Sequence, residues 1–228
     1  MLLRFRKKWL FLAALATWLG WVWIDLYAPR QTNIRRFDPG EVARLDARMW
    51  RSYYEGKPLA LFGQLAGLLR TQYGAPFIRS NAMAYHAAKA AWVFKNGRNR
   101  AEYQAALPSL IKFYAAIQEM SEETFEVERV ARLELEWWIV HRQRASHPPD
   151  KLGKALAETA AVLYHQPAER FAEHARLRAE AMRIRDNRAG NGGLSEADWQ
   201  RIDQRLHASW RSLWKVVNEP SGQPVALP

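Results

Sequence analysis

The densest cluster of chemistry-bearing side chains runs from Glu126 to His141, in the stretch EVERVARLELEWWIVH. At about 100° per residue, Val127, Val130, Ala131, Leu135, Trp137 and Trp138 define an apolar arc on a helix. Glu134 and His141 fall inside that arc, two turns apart, while Glu136 points the other way. A carboxylate and an imidazole on an apolar face need partners, because an unpaired buried charge is strongly destabilising. One arrangement that satisfies them is a metal ligand set or an acid/base pair inside a helical bundle. His86, beside Tyr85, and Glu55, after Tyr53 and Tyr54, are the residues that could complete such a set. The other arrangement is a buried polar network closed by an arginine or tyrosine of the next helix. The sequence favours this second one.

The wider motif content explains the preference. Di-iron carboxylate bundles place Glu-x-x-His on two helices, and no glutamate here has a histidine three residues later. There is no His-Glu-x-x-His, no Gly-x-x-x-x-Gly-Lys-Ser/Thr and no Gly-x-Ser-x-Gly. Cysteine is absent, which excludes disulfides, thiolate metal sites, a cysteine nucleophile and covalent c-type haem attachment. Glu169, Glu173, Arg176, Glu180 and Arg183 share one helical stripe, but alternating signs make them a surface ion-pair ladder. Adjacent Glu173 and His174 point about 100° apart and are a poor ligand pair. No catalytic residue is therefore assigned and no cofactor is expected, with a metal or a noncovalently held haem or pigment left open.

The elements that would position these side chains are helical throughout. Asp38-Pro39-Gly40-Glu41 carries the N-cap, first-turn proline and acidic third position of a helix start. Helices are then expected over 39–55, 58–73, 77–95, 100–120, 122–145, 149–164 and 167–187, with Gly56-Lys57-Pro58, Gly74-Ala75-Pro76 and Asn96-Gly97 as breaks. Ser195 caps a last helix in which Trp199, Ile202, Leu206, Trp210, Leu213, Trp214 and Val217 recur at three- and four-residue steps. That stripe faces a core or a partner, and Trp199, Trp210 and Trp214 are its candidate partner face. No stretch alternates with period two. The expected fold is all-α: one N-terminal transmembrane helix, then a soluble bundle of about seven helices built from antiparallel hairpins. A short solenoid scaffolding soluble partners is the weaker topology, since no repeat near 34 residues is found.

Residues 9–28 are the expected anchor. WLFLAALATWLGWVWI is uncharged, and Leu26 to Ala28 extend it past Asp25. Its length just crosses a hydrocarbon core. Trp18, Trp21, Trp23 and Tyr27 mark the far interface and Trp9 the near one. Cleavage as a signal peptide at Ala14-Leu15-Ala16 would leave too short an apolar region, so an uncleaved anchor is preferred. The remaining expected segments are a basic N-terminus (1–8), a basic juxtamembrane linker (29–37), the helical domain (38–219) and a tail (220–228).

Charge follows the same division. The chain carries a formal +11. Over half of it lies before residue 37, with Arg4, Arg6, Lys7 and Lys8 at the start and Arg30, Arg35 and Arg36 after the span. A basic collar around a span answers to anionic lipid rather than nucleic acid, and the rest is expected to be spread along mixed-sign helices. The positive-inside rule puts the N-terminus in the cytoplasm and the domain outside, periplasmic for a bacterial inner membrane. The functional expectation is a non-catalytic, membrane-anchored accessory subunit of a larger membrane complex, respiratory or photosynthetic, with membrane lipids and other subunits as partners. The competing expectation is an oxidase-like bundle enzyme with a carboxylate/histidine metal site.

Overall fold

The computed structural model describes residues 2–189 and 193–219. The Arg4 side chain, loop residues 190–192 and the tail 220–228 lie outside that description. Among the described residues every extended element is a helix. The first, α1 (Leu2–Tyr27), includes a segment Arg6–Tyr27 long and apolar enough to cross a membrane. It stands almost bare: Trp9, Phe11, Trp18 and Trp23 are each more than half exposed.

Local chemistry accounts for most helix ends in the domain. Asp38 starts α2 (Pro39–Tyr54) by accepting the Gly40 and Glu41 amides at 2.8 and 3.1 Å. Next comes α3 (Pro58–Tyr73), closed by Gly74 in the left-handed region at φ 63°. A Cβ there would also meet Thr32 at 3.2 Å. After a three-residue turn, α4 (Phe77–Asn96) runs back along α3.

The expected helix over 100–120 is two helices, α5 (Arg100–Gln104) and α6 (Leu107–Gln118). Pro108 explains the break, because its ring bars the carbonyl of Gln104 and it has no amide to donate. The expected helix over 122–145 is shorter, α7 (Val127–Arg142). Its predicted first residues are used elsewhere, the Glu122 amide donating to the Thr32 carbonyl at 3.0 Å and Glu123 pairing with Arg35. The last three are α8 (Lys151–Tyr164), α9 (Ala172–Ala189) and α10 (Glu196–Asn218). Ser195 caps α10, as the sequence predicts, and the Asp198 carboxylate accepts the Ser195 amide in return.

The packing order is a closed circuit. Helix α2 packs on α3, α3 on α4, α4 on α6, α6 on α7, α7 on α8, α8 on α9 and α9 on α10, and α10 returns to α2. Because α10 closes on α2, these helices form a bundle and not an open solenoid. Fully buried Leu69, Leu110, Leu135, Ile139, Ile202 and Leu206 fill it, each burial stabilising by about 2 kcal/mol.

Residues 29–37 belong to this body and are not a free linker. The Thr32 amide donates to the Met120 carbonyl at 2.6 Å, and Ile34 and Phe37 are buried. Arg35 donates twice to Glu123 at 2.8 Å and reaches the Tyr164 carbonyl at 2.9 Å. Its charge is spent inside the domain, although the sequence places it in the lipid-facing collar.

Candidate functional site

Glu134 sits on the inner side of α7, where burial pushes its carboxyl pKa up. Three donors from two helices oppose that shift. Trp137 Nε1 donates at 2.8 Å, Trp138 Nε1 at 3.0 Å and the Tyr114 hydroxyl of α6 at 3.1 Å. Two donors come from the tryptophans of α7 itself, at i+3 and i+4, so the helix supplies most of its own network. Tyr114 is pushed well above the usual phenol range by burial and by Glu134 beside it. Tyr73 of α3 is raised too, with burial the main cause and Tyr164 and Glu134 adding to it.

A second polar group lies across the bundle. Asp46 of α2 is 1% exposed and pairs with Arg178 of α9 at 2.6 Å. The same Asp46 oxygen accepts Trp210 Nε1 of α10 at 2.8 Å. The Arg178 guanidinium lies over the Trp50 and Trp210 rings, 5.5 and 5.8 Å from their centroids, and its charge also favours ionised Glu134. Below Trp210, His174 Nδ1 lies 3.0 Å from the Ser209 carbonyl, and burial lowers its pKa to about 4. The imidazole is therefore neutral at physiological pH, with Nδ1 carrying the proton.

His141 does not join Glu134. Its Nε2 pairs with Asp186 of α9 at 2.9 Å, and Arg144 and Arg185 each reach Asp186 at 3.0 Å. Burial alone would raise the Asp186 pKa, but these neighbours hold it below the usual carboxylate range. His86 lies on α4 against Tyr85, its pKa lowered by partial burial and by Lys112 and Lys89. Glu55 is a surface residue paired with Arg51 and Lys57. The four candidate ligands thus occupy different surroundings. Among the described residues, no three His, Cys, Asp or Glu side chains gather as a metal site. Two shallow concavities are lined by Glu126 to Arg132 and by residues of α8 and α9, and neither takes in Glu134 or His141.

The candidate partner tryptophans separate as well. Trp210 is buried inside the chain, and Trp199 is partly buried against Tyr54. Trp214, 39% exposed, offers the most surface of the three. The packing reason is that the α10 stripe is already covered by α9 and α2.

The second notable constellation joins α1 to the domain. Asp25 is 5% exposed, and its Oδ1 accepts the amides of Ile78 and Arg79 at 3.0 and 3.1 Å. Those are first-turn amides of α4, whose own N-cap residue, Pro76, provides no side-chain acceptor. In return the Arg79 guanidinium donates to the carbonyls of Asp25 and Ala28 at 3.1 and 2.8 Å. Each helix thus caps the end of the other. Trp21 touches Phe77 beside this joint, with ring centroids 6.5 Å apart. The other interface candidates, Trp9, Trp18, Trp23 and Tyr27, and the basic Arg6, Lys7 and Lys8, are exposed.

Sequence reasoning passed over Asp46, Arg178 and Arg79. Asp46 had a readable signal, since it lies on the same helical face as Val42, Ala43 and Trp50. Arg79 had none, because its partners are carbonyls more than fifty positions away. Comparison with protein families, with curated proteins and with solved structures finds no match.

Proposed function

We propose that this chain is a membrane-anchored helical accessory subunit that docks on or stabilises a larger membrane protein complex. In this reading α1 crosses the inner membrane with its basic start in the cytoplasm, and the domain stands on the outer, periplasmic side. The observation that carries it is the joint at Asp25 and Arg79. A leader destined for removal has no need of a reciprocal cap with a helix of the mature domain. A bare apolar helix fixed at one end to a compact body is, by contrast, the form of a single-pass subunit. The interior supports a structural role. Glu134 is held by three protein donors, and neither of the described concavities reaches it.

The test is extraction of the native chain in mild detergent, followed by native electrophoresis and mass spectrometry of the band. The expected result is full-length chain, N-terminus retained, in a discrete assembly with other membrane subunits at fixed stoichiometry. A lone protein with stoichiometric iron or manganese, lost in a Glu134→Ala/His141→Ala variant, would overturn the proposal. So would a mature N-terminus starting after Ala16.

A further inference from the structure

We propose that the outward face of the α3–α4 hairpin is a lipid-contacting surface that lies against the anionic headgroups of the bilayer that α1 enters. The inference rests on reading α1 as an anchor and adds where the domain meets the membrane.

Charge is the first observation. Between Glu55 and Glu102 the chain has no aspartate or glutamate, yet it carries seven lysines and arginines. The rest of the domain, from residue 37 onward, holds more carboxylates than cations. The positive charge past the span is therefore not spread along mixed-sign helices, as the sequence reading has it. It comes from the acid-free stretch that includes the α3–α4 hairpin, where Arg70, Arg79, Lys89 and Lys95 lie and whose α4 packs against the anchor. Arg79 is spent on the α1 joint, and Lys57 and Arg100, outside the hairpin, pair with Glu55 and Glu136. Among the described residues, Lys89 and Lys95 have no ion-pair partner, so their charge is open to an anionic surface.

Exposed aromatic surface is the second. Phe77, Tyr85 and Trp92 of α4 are 56%, 55% and 67% exposed. At 100° per residue they fall within an arc of about 80°, flanked by Lys89 and Lys95. A stripe of exposed aromatic rings edged by lysines suits the headgroup layer, where indole and phenol rings keep one side apolar and the other wet. Scattered exposed apolar residues need no explanation, but an aligned set does.

Continuity is the third. Trp21 lies within the apolar span, and Phe77 contacts it. The first turn of α4 is thus held at the depth of the tryptophans that mark the far interface, with the Arg70 guanidinium over the Phe77 ring at 5.5 Å. The Asp25–Arg79 joint keeps it there.

The absence of cysteine makes any introduced one unique. Full-length single-cysteine variants Leu12→Cys, Phe77→Cys, Tyr85→Cys, Trp92→Cys and Glu158→Cys, labelled with a polarity-sensitive fluorophore, are placed in vesicles of phosphatidylcholine with or without phosphatidylglycerol. The expected result is a blue shift and quenching by spin-labelled lipid at Phe77, Tyr85 and Trp92 in the anionic vesicles. Leu12 is quenched in both vesicle types and Glu158 in neither. Adding Lys89→Gln and Lys95→Gln weakens the anionic preference at Tyr85 and Trp92. Lipid quenching at Leu12 with water-like α4 labels overturns this inference and leaves the anchor standing. A water-like Leu12 overturns the anchor, and this inference with it. Labels that are blue-shifted but not quenched by lipid identify a protein contact and overturn the lipid surface.

Discussion

Asp25 near the end of the apolar α1 and Glu134 on the apolar face of α7 are both carboxylates set among apolar side chains, and the fold satisfies them by different means. Asp25 is held by backbone amides at the start of another helix, so it joins two bodies. Glu134 is held by side-chain donors, two of them on its own helix, so it tightens one body from within. The amides at a helix start exist whatever the side chains are, and they favour negative charge. Indole and phenol donors exist only because Trp137, Trp138 and Tyr114 occupy those positions. An acid on an apolar helix face is thus a marker of attachment, and its donors decide whether it attaches one domain to another element or a core to itself.

The interior is expected to break first. Arg178→Ala leaves Asp46 buried beside Trp210 without its cation, and removing one partner of a buried pair costs about 3–5 kcal/mol. Thermal unfolding should move down by roughly 10 °C, since each kcal/mol is worth about 2–4 °C at this size. A shift within 2 °C of zero would remove Asp46 and Arg178 from the interior account.

Acid sharpens the same region. His174 has a folded pKa of about 4 against an ordinary 6.5. Between those values the unfolded chain binds a proton that the folded one does not. Its contribution is therefore complete above about pH 6.5 and is lost as pH falls toward 4, reaching about 3 kcal/mol. Denaturant titrations over that window should show the decline, and His174→Gln should flatten it. An unchanged slope in the variant would place the pH dependence elsewhere.

Glu134→Ala leaves two indoles and a phenol without their acceptor and is expected to cost about 2–3 kcal/mol, read as a lower unfolding midpoint. Asp25→Ala, by contrast, removes a cap at the edge of the domain and is expected to cost about 1 kcal/mol. Equal losses at the two positions would erase the distinction between them.

Much of this organisation is legible in the residues. Asp38 and Ser195 announce their helices because caps are local, and the bare apolar helix α1, long enough to cross a membrane, is plain from its composition. The need of Glu134 for partners follows from helical periodicity, and its tyrosine donor is of the expected kind. His141 also needs a partner by that argument, but Asp186 lies 45 positions away and no local pattern points to it. The role of residues 29–37 is hidden for the same reason. Arg35 reads as one more cation beside a membrane until Glu123 and two distant carbonyls are brought to it. Trp210 reads as surface or core alike, because periodicity identifies an apolar face without saying what covers it. The acid-free run between Glu55 and Glu102 needs no structure to be seen. It gains meaning only when α4 is found against the end of α1.

The joint between α1 and the domain is tested most directly by distances between spin labels at Leu15→Cys and Glu158→Cys in lipid nanodiscs. A single narrow distribution is expected in the otherwise native chain, broadening when Asp25→Ala is added. A distribution already broad with Asp25 in place would contradict the account, since the helix would then be a tether and not a fixed part of the molecule.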